Sequence, residues 1–457
     1  MKHFSLAILL LASCAVGAPP TQEEAAKRII DAVAAGNDSY NKLQELCDDV
    51  GHRLSGSKGL ENAVAWGVAR LKADGQENVR AEKLMVPKWV RGRESLVMLE
   101  PREHAISMLG LGGSVGTEGI TAEVVVVRSK KELDALATAE GKIVLFNAPM
   151  AAYDPVKGAG YGEAVQYRSS GAVWAAEKGA VAALVRSVTA HSLRTPHTGA
   201  MRYADGKKKI PAASVSVEDA ELMARLCARG KKVVVKLMME AHDDGMVESA
   251  NVVGELVGRE KPEEIVIVSG HLDSWDVGQG AQDDGGGCVC AMEVLNVLRK
   301  LGLRPRRTIR VVLWTNEENG MLGVKTYLKD HAAELANHIA AIESDIGVFN
   351  PVQFGVDIND ADRLKLAGEQ LARIVKPLAL KSKTGSSSSD VGNFKVHGVP
   401  ALGLDVEGSR YFDYHHTPAD TVDNVNPKEL SNCVAAMAVV AYSIAEMKER
   451  FGGEPAK

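Results

Sequence analysis

At 457 residues the chain exceeds what one hydrophobic core usually organises, so two or three structural units are expected. Hydrophobic content of 46% beside 25% charged residues excludes a disordered, collagenous or coiled-coil protein. A net charge of −5 without a long Lys/Arg block leaves no electrostatic footprint for nucleic acid, so small solutes are the expected partners.

In chain order, Lys2 and His3 precede an apolar run from Phe4 to Gly17, shorter than the ~20 residues that span a bilayer. Residues 1–18 therefore read as a secretory leader, which predicts a secreted, periplasmic or extracellular protein. Val16-Gly17-Ala18 ends in small residues suited to a signal peptidase. Leu11-Ala12-Ser13-Cys14 has the form of a bacterial lipoprotein box, which would tie the chain to a membrane through Cys14. A buried N-terminal helix is the blander reading, but no capping residue or polar face accompanies the run.

Between 19 and 105, helical periodicity over Glu23 to Ala35 and Lys58 to Ala73 gives way to short strands near Ala81 to Val86 and Ser95 to Leu99. From 106 to 245 the pattern changes. Strand-like runs at Ala122 to Val127, Lys142 to Phe146, Val181 to Val185 and Val233 to Leu237, with a helix at Gly171 to Gly179, predict a small mixed unit with its own sheet. It holds no titratable cluster with ligand spacing and reads as an insert that covers or shapes a site.

From 246 to 457, strands alternate with helices, as in an α/β core. Strands are expected at Val252 to Val257, Ile265 to Ser269, Thr308 to Trp314, Ile339 to Ile342 and Pro400 to Leu404. Helices are expected at Cys288 to Leu301, Leu322 to Asp330 and Pro427 to Phe451. Cys47, Cys227, Cys288, Cys290 and Cys433 lack a framework spacing, so disulfides are not expected to hold the fold. Val and Ala neighbours make Cys288 and Cys290 small core residues rather than metal ligands.

In open α/β sheets, ligands gather outside the carboxyl ends of the strands. "GHLDSWDVGQGAQDDGGG", residues 270 to 287, stands at such an end. His271 and Asp273 lie two apart and so on one side of an extended chain. Asp273 is expected to hydrogen-bond one imidazole nitrogen while the other binds a cation. Twelve positions on comes Asp283, then Asp284 and Gly285 to Gly287, whose glycines let backbone pass a crowded centre. The next strand end carries adjacent Glu317 and Glu318, which diverge so that one can bind a metal while its neighbour faces the open coordination position. The strand after that leads to Asp345, and His415-His416 supply a second imidazole. Singly, a charged pair is usually a solvated face and a lone histidine is usually structural. Acids and imidazoles at successive strand and loop ends point instead to bound metal.

The order His271, Asp283, Glu317-Glu318, Asp345, His416, with "RLSGSKGLENA", "SGHLDSWDVGQGAQDDGGG", "LGLRPRRTIRVVLWTNEE" and "GSRYFDYHHTPADT", resembles the co-catalytic di-zinc exopeptidases, the family of bacterial aminopeptidases and glutamate carboxypeptidases. The likeness runs from about residue 45 to the end. It implies a mixed-sheet zinc exopeptidase core with helices on both faces and, at 106–245, an inserted protease-associated-like α/β domain. It also implies two zinc ions per chain: Asp283 bridges them, His271 and Asp345 complete one site, and Glu318 and His416 complete the other. Glu317 becomes the general base, with Asp273 in the catalytic set. Counting back five positions from Thr421 selects His416 over His415. A cis peptide at Asp283-Asp284 and a homodimer are implied as well.

Mixed nitrogen and oxygen donors without thiolates suit zinc, and cobalt or manganese fit the same cage. The expected reaction is hydrolysis of dipeptides or short peptides by a metal-bridging water that Glu317 activates. Two alternatives stand beside it: another di-zinc amide hydrolase such as a deacylase, and a non-catalytic binding protein of the same fold, which would have lost ligands. The group that recognises a free substrate end is not identified. Asp390, Tyr411 and Tyr414 are candidates, with turn capping and packing as their structural readings.

Overall fold

The computed structural model describes residues 20–454. The leader, its cleavage site and Cys14 lie outside the described residues.

Eight strands form the first sheet, in the order Glu77–Val90, His242–Leu256, Arg307–Trp314, Lys261–His271, His338–Glu343, Ala401–Val406, Pro351–Asp357, Lys381–Thr384. The four central strands, Arg307–Trp314 through Ala401–Val406, run parallel, while His242–Leu256 and Pro351–Asp357 flank them antiparallel. Every residue of Arg307–Trp314 and of His338–Glu343 is buried, as parallel strands covered on both faces require. The strand period of two divides this apolar content between two cores. Val266 and Val268 point into a layer shared with helices Gln22–Ala35, Gly286–Lys300 and Pro427–Glu446. Ile265 and Ile267 point the other way, onto helix Leu322–Asp330 and Phe394. The expected α/β core with helices on both faces is what the chain builds.

Local chemistry sets the ends of these helices. Thr21 and Glu24 close a capping box at the start of Gln22–Ala35. Asn426 accepts from the backbone of Lys428 and Glu429 ahead of Pro427, whose missing N–H costs nothing at a first helical position.

A second eight-stranded sheet has the order His104–Ile106, Glu94–Glu100, Val234–Met239, Thr117–Val127, Ile143–Phe146, Ala182–Arg186, Ala212–Val215, Met108–Gly110. It begins at Glu94, ahead of residue 106 where the sequence pattern changes, because Glu94–Glu100 pairs with Val234–Met239, Leu96 opposite Leu237. Helix Val217–Ala228 packs on the face carrying Leu145 and Leu184, and helix Tyr161–Glu177 on the face carrying Val144 and Phe146.

Two elements begin ten residues ahead of their sequence signals. The helix expected at Gly171 to Gly179 starts ten residues earlier, at Tyr161, because Ser169, Ser170 and Gly171 are weak helix formers that tertiary packing overrides. The strand expected at Val252 to Val257 is the inner half of His242–Leu256. Its outer half, His242 to Gly245, is exposed and has no apolar alternation to detect, yet pairs along Glu77–Val90. Among the described residues the five cysteines are unpaired, and no helix is long and apolar enough to cross a membrane.

Candidate metal centre

The parallel strands deliver the acids and imidazoles to one end of the first sheet. His271 is the last residue of its strand; Glu317 and Glu318 follow Arg307–Trp314 after a two-residue turn, and Asp345 follows His338–Glu343 after one residue. Asp283 sits on the turn Ala281–Gly285 that opens helix Gly286–Lys300, next to a cis Asp283-Asp284 peptide. His416 lies beyond the short helix Tyr411–Tyr414, with a positive φ of 61° that few residues other than glycine adopt.

Four of these side chains, those of His271, Asp345, Glu318 and His416, gather around Asp283. Its Oδ1 is 3.1 Å from His271 Nε2, and that nitrogen is 3.1 Å from Asp345 Oδ1. Its other oxygen, Oδ2, is 3.3 Å from His416 Nε2, which is 3.0 Å from Glu318 Oε2. One carboxylate thus presents one oxygen to each of two imidazole–carboxylate pairs. Glu317 borders the same space as part of the wall of the cleft. His415 stacks on His416 at 3.5 Å between ring centroids, and its Nε2 is 3.8 Å from Asp283 Oδ2. Rings of Tyr161, Tyr411 and Phe412 enclose it.

A layer of hydrogen bonds fixes this arrangement. Asp420 accepts from the backbone N–H groups of Ala281, Gln282 and Asp283, at 3.0, 2.7 and 3.1 Å, and so pins the turn that carries Asp283. Asp284 accepts from the N–H groups of His271 and Gly287, both at 3.0 Å. A β-carbon on Gly287 would overlap the Ser344 carbonyl and the Asp284 carboxylate, which is the close approach the glycine run permits. Trp275 donates its indole N–H to Glu318 Oε2 at 2.6 Å, and Ser389 bonds Asp345.

Asp273 acts differently from the expectation. Its backbone carbonyl, 2.9 Å away, accepts from His271 Nδ1, while its carboxylate oxygen stands 3.9 Å from that nitrogen. The carboxylate instead accepts from the backbone N–H groups of Glu317 and Glu318, at 3.0 and 3.3 Å. Asp273 therefore positions the glutamate pair with its side chain and fixes the imidazole tautomer with its main chain.

The electrostatics call for cations. Burial disfavours charge on His416, but Glu318 and Asp283 outweigh it and push its pKa up to about 10. His271 is likewise raised by Asp345 and Asp283 against its burial. Burial, with Asp345 and Glu318 nearby, holds Glu317 well above the usual carboxylate range, and burial with Asp345 pushes the neighbouring Glu343 up to about 8. Asp283 Oδ2 and Glu318 Oε1 have no hydrogen-bond partner, although buried polar atoms rarely go without one. Nitrogen and oxygen donors 3.0–3.3 Å apart match the edges of a tetrahedron around zinc, roughly 3.3 Å for bonds of about 2.0–2.1 Å. The residues present fit divalent metal.

A cleft of about 1340 Å³ opens onto the centre. Asp283, Glu317, Glu318, Asp345 and His416 line it from the first sheet, while Gly112, Arg168 and Met201 reach it from the second. Of the candidates for a substrate end, Tyr411 lines this cleft. Asp390 is fully buried with its N–H on Glu343, and Tyr414 stacks on Phe349. The second sheet also supplies contacts that the sequence did not signal. His416 Nδ1 is 3.3 Å from the Thr198 carbonyl and 3.3 Å from Arg168 Nη1.

The model of peptidase family M28 matches residues 251–441, the stretch that carries His271, Asp283, Glu317, Glu318, Asp345 and His416. Carboxypeptidase Q of Bos taurus is 45% identical over 433 residues, covering 93% of this chain and 90% of that protein. The chain belongs to peptidase family M28. It is a metallopeptidase of that family, in line with the resemblance in its motifs. Carboxypeptidase Q of Homo sapiens is 44% identical over the same shares of the two chains. The crystal structure of a Peptidase M28 precursor from Shewanella amazonensis SB2B superposes with a TM-score of 0.90 at 36% identity, over 95% of this chain and 99% of that one. An M28-type fold is also shared with a zinc aminopeptidase from Bacillus subtilis, with a TM-score of 0.65 at 21% identity over 92% and 98% of the chains.

Proposed function

We propose that the chain is a di-zinc exopeptidase acting on dipeptides or short peptides. Asp283 would be shared between the two ions, His271 and Asp345 would hold one, and Glu318 and His416 would hold the other. The observation that carries this reading is the division of the Asp283 carboxylate, each oxygen within 3.3 Å of its own imidazole. Relatives that are carboxypeptidases support a peptide bond as the target over other amides.

Bound at this centre, the ions supply Lewis acidity, polarising a carbonyl oxygen and lowering the pKa of water toward about 7. Glu317 is the general base: it ligates nothing in this scheme, faces the cleft, and has its backbone held by Asp273. It takes a proton from the attacking water and returns it to the leaving amine. Asp273 and Trp275 act as positioning residues for Glu317 and Glu318.

The reading extends to secretion, supported by the apolar run Phe4 to Gly17, with release after Ala18 or lipid attachment at Cys14. A homodimer belongs to the same reading. In function, the sheet spanning residues 94 to 239 is an inserted unit that roofs the cleft.

The test is peptide hydrolysis by the purified protein before and after chelation. Chelation is expected to abolish turnover, and zinc to restore it, with full recovery at two equivalents per chain. Undiminished hydrolysis by protein shown to be metal-free would overturn the proposal.

A further inference from the structure

We propose that the second sheet completes only one of the two metal positions, the one between Glu318 and His416, so that zinc binding there and the docking of the two sheets strengthen each other. Trp275 is the positioning residue that carries this coupling. This rests on the di-zinc reading above and adds a difference between its two positions.

The two imidazole–carboxylate pairs are held from different parts of the fold. His271 and Asp345 depend on the chain of the first sheet: the Asp273 carbonyl accepts from His271 Nδ1 at 2.9 Å, Asp284 accepts from the His271 N–H at 3.0 Å, and Ser389 bonds Asp345. Glu318 and His416 depend on the junction between the sheets. The indole N–H that Glu318 Oε2 receives at 2.6 Å comes from Trp275, which is 2% exposed and buried with Leu96, Leu237 and Met239 of the second sheet. A β-carbon on Gly112 would overlap the Trp275 ring, so this glycine, just beyond strand Met108–Gly110, gives the indole its seat.

His416 meets the second sheet through Thr198, which lies between strands Ala182–Arg186 and Ala212–Val215. The Thr198 N–H donates to the His416 carbonyl at 3.0 Å. With Nε2 turned toward Asp283 and Glu318, Nδ1 carries the ring proton, and the Thr198 carbonyl at 3.3 Å is its acceptor. Two further ties hold the same junction. Phe412, on the short helix before His416, packs among Met150, Ala164 and Val188 and stacks on Tyr161 at 5.1 Å between ring centroids, while its carbonyl accepts from the Thr189 hydroxyl at 2.7 Å. Arg91 forks onto the Asp276 carboxylate at 2.6 and 2.8 Å and reaches the Thr198 hydroxyl at 3.3 Å, which ties the residue after Trp275 to the second sheet.

Undocking the second sheet would strip Glu318 of its fixed indole donor and His416 of its carbonyl acceptor, while the bonds from Asp273, Asp284 and Ser389 stay in place. Losing such an outer partner of a ligand costs about 10–100-fold in metal affinity. Coupling between two equilibria is reciprocal, so zinc at the Glu318–His416 position favours docking by the same factor. Zinc at the His271–Asp345 position does not.

The experiment is a calorimetric zinc titration of chelator-stripped Trp275→Phe protein, which keeps an aromatic ring in the Gly112 seat and loses the N–H. One of the two sites is expected to weaken by about 10–100-fold and the other to keep its wild-type affinity. In the Asp345→Ala background the weakened site should be the one that remains, and in the Glu318→Ala background Trp275→Phe should change nothing. Hydrogen exchange over residues 196–201 gives a second reading. Zinc should slow it in Asp345→Ala protein by up to the same factor of about 10–100 and leave it unchanged in Glu318→Ala protein. This comparison decides if Trp275→Phe does not fold. Equal weakening of both sites, a Trp275→Phe titration like that of wild type, or the same exchange response to zinc in the two backgrounds would overturn the proposal while leaving two zinc ions in the protein. A wild-type protein that takes up no zinc defeats the di-zinc reading itself, and this coupling with it.

Discussion

Glu317→Gln is expected to lower kcat by about 10²–10⁴-fold, the range that a positioned general acid–base supplies, while zinc content and melting temperature stay near wild type. The substitution keeps the shape of the side chain and removes only its capacity to take and return a proton. Asp273 holds residue 317 through the backbone N–H, which the change leaves in place. The amide should therefore occupy the same position at the edge of the cleft. Zinc content by atomic emission, a thermal melt and steady-state kinetics on one preparation check this. Activity within tenfold of wild type would remove Glu317 from the mechanism, and loss of zinc would make it a ligand.

Asp283→Ala should abolish turnover and empty both metal positions together. By contrast, Asp345→Ala and Glu318→Ala should each weaken one. The asymmetry follows from geometry: of the imidazoles of His271 and His416, Asp345 meets the first and Glu318 the second, while Asp283 meets both. Without the bridging carboxylate, each imidazole keeps a single acidic partner and two cations face one another with no shared anion. Titration of the apo variants with zinc, read by calorimetry, is expected to show two tight sites in wild type, one in each outer-ligand variant and none in Asp283→Ala. An Asp283→Ala protein that keeps one tight site would mean that the ions do not share this residue.

The centre was legible in the sequence because its acids and imidazoles stand where polarity breaks an apolar run. His271 ends a buried parallel strand, Glu318 and Asp345 follow within a few residues of the ends of two others, and the glycines beside Asp283 mark the backbone's close approach. Alternation along an extended chain places Asp273 on the same side as His271 but does not say which oxygen is used. The side chain turned out to serve Glu317 and Glu318, and the carbonyl serves the imidazole. Arg168 gave no signal. It sits in the half of its helix with the weakest helical pattern, some 250 residues from His416, and reads as an ordinary surface arginine until the two sheets are brought together. Thr198 is harder still, since it acts through a main-chain carbonyl that any residue would provide. The outer half of His242–Leu256 escaped for the related reason that its pairing with Glu77–Val90, rather than burial, makes it a strand.

The most direct test of the whole account is a crystal structure of the zinc-loaded protein with data collected on both sides of the zinc absorption edge. Two anomalous peaks are predicted, about 3.5–4 Å apart, one on each side of the Asp283 carboxylate, with His271 and Asp345 on the first and Glu318 and His416 on the second. A single peak, or zinc held away from Asp283, would contradict it.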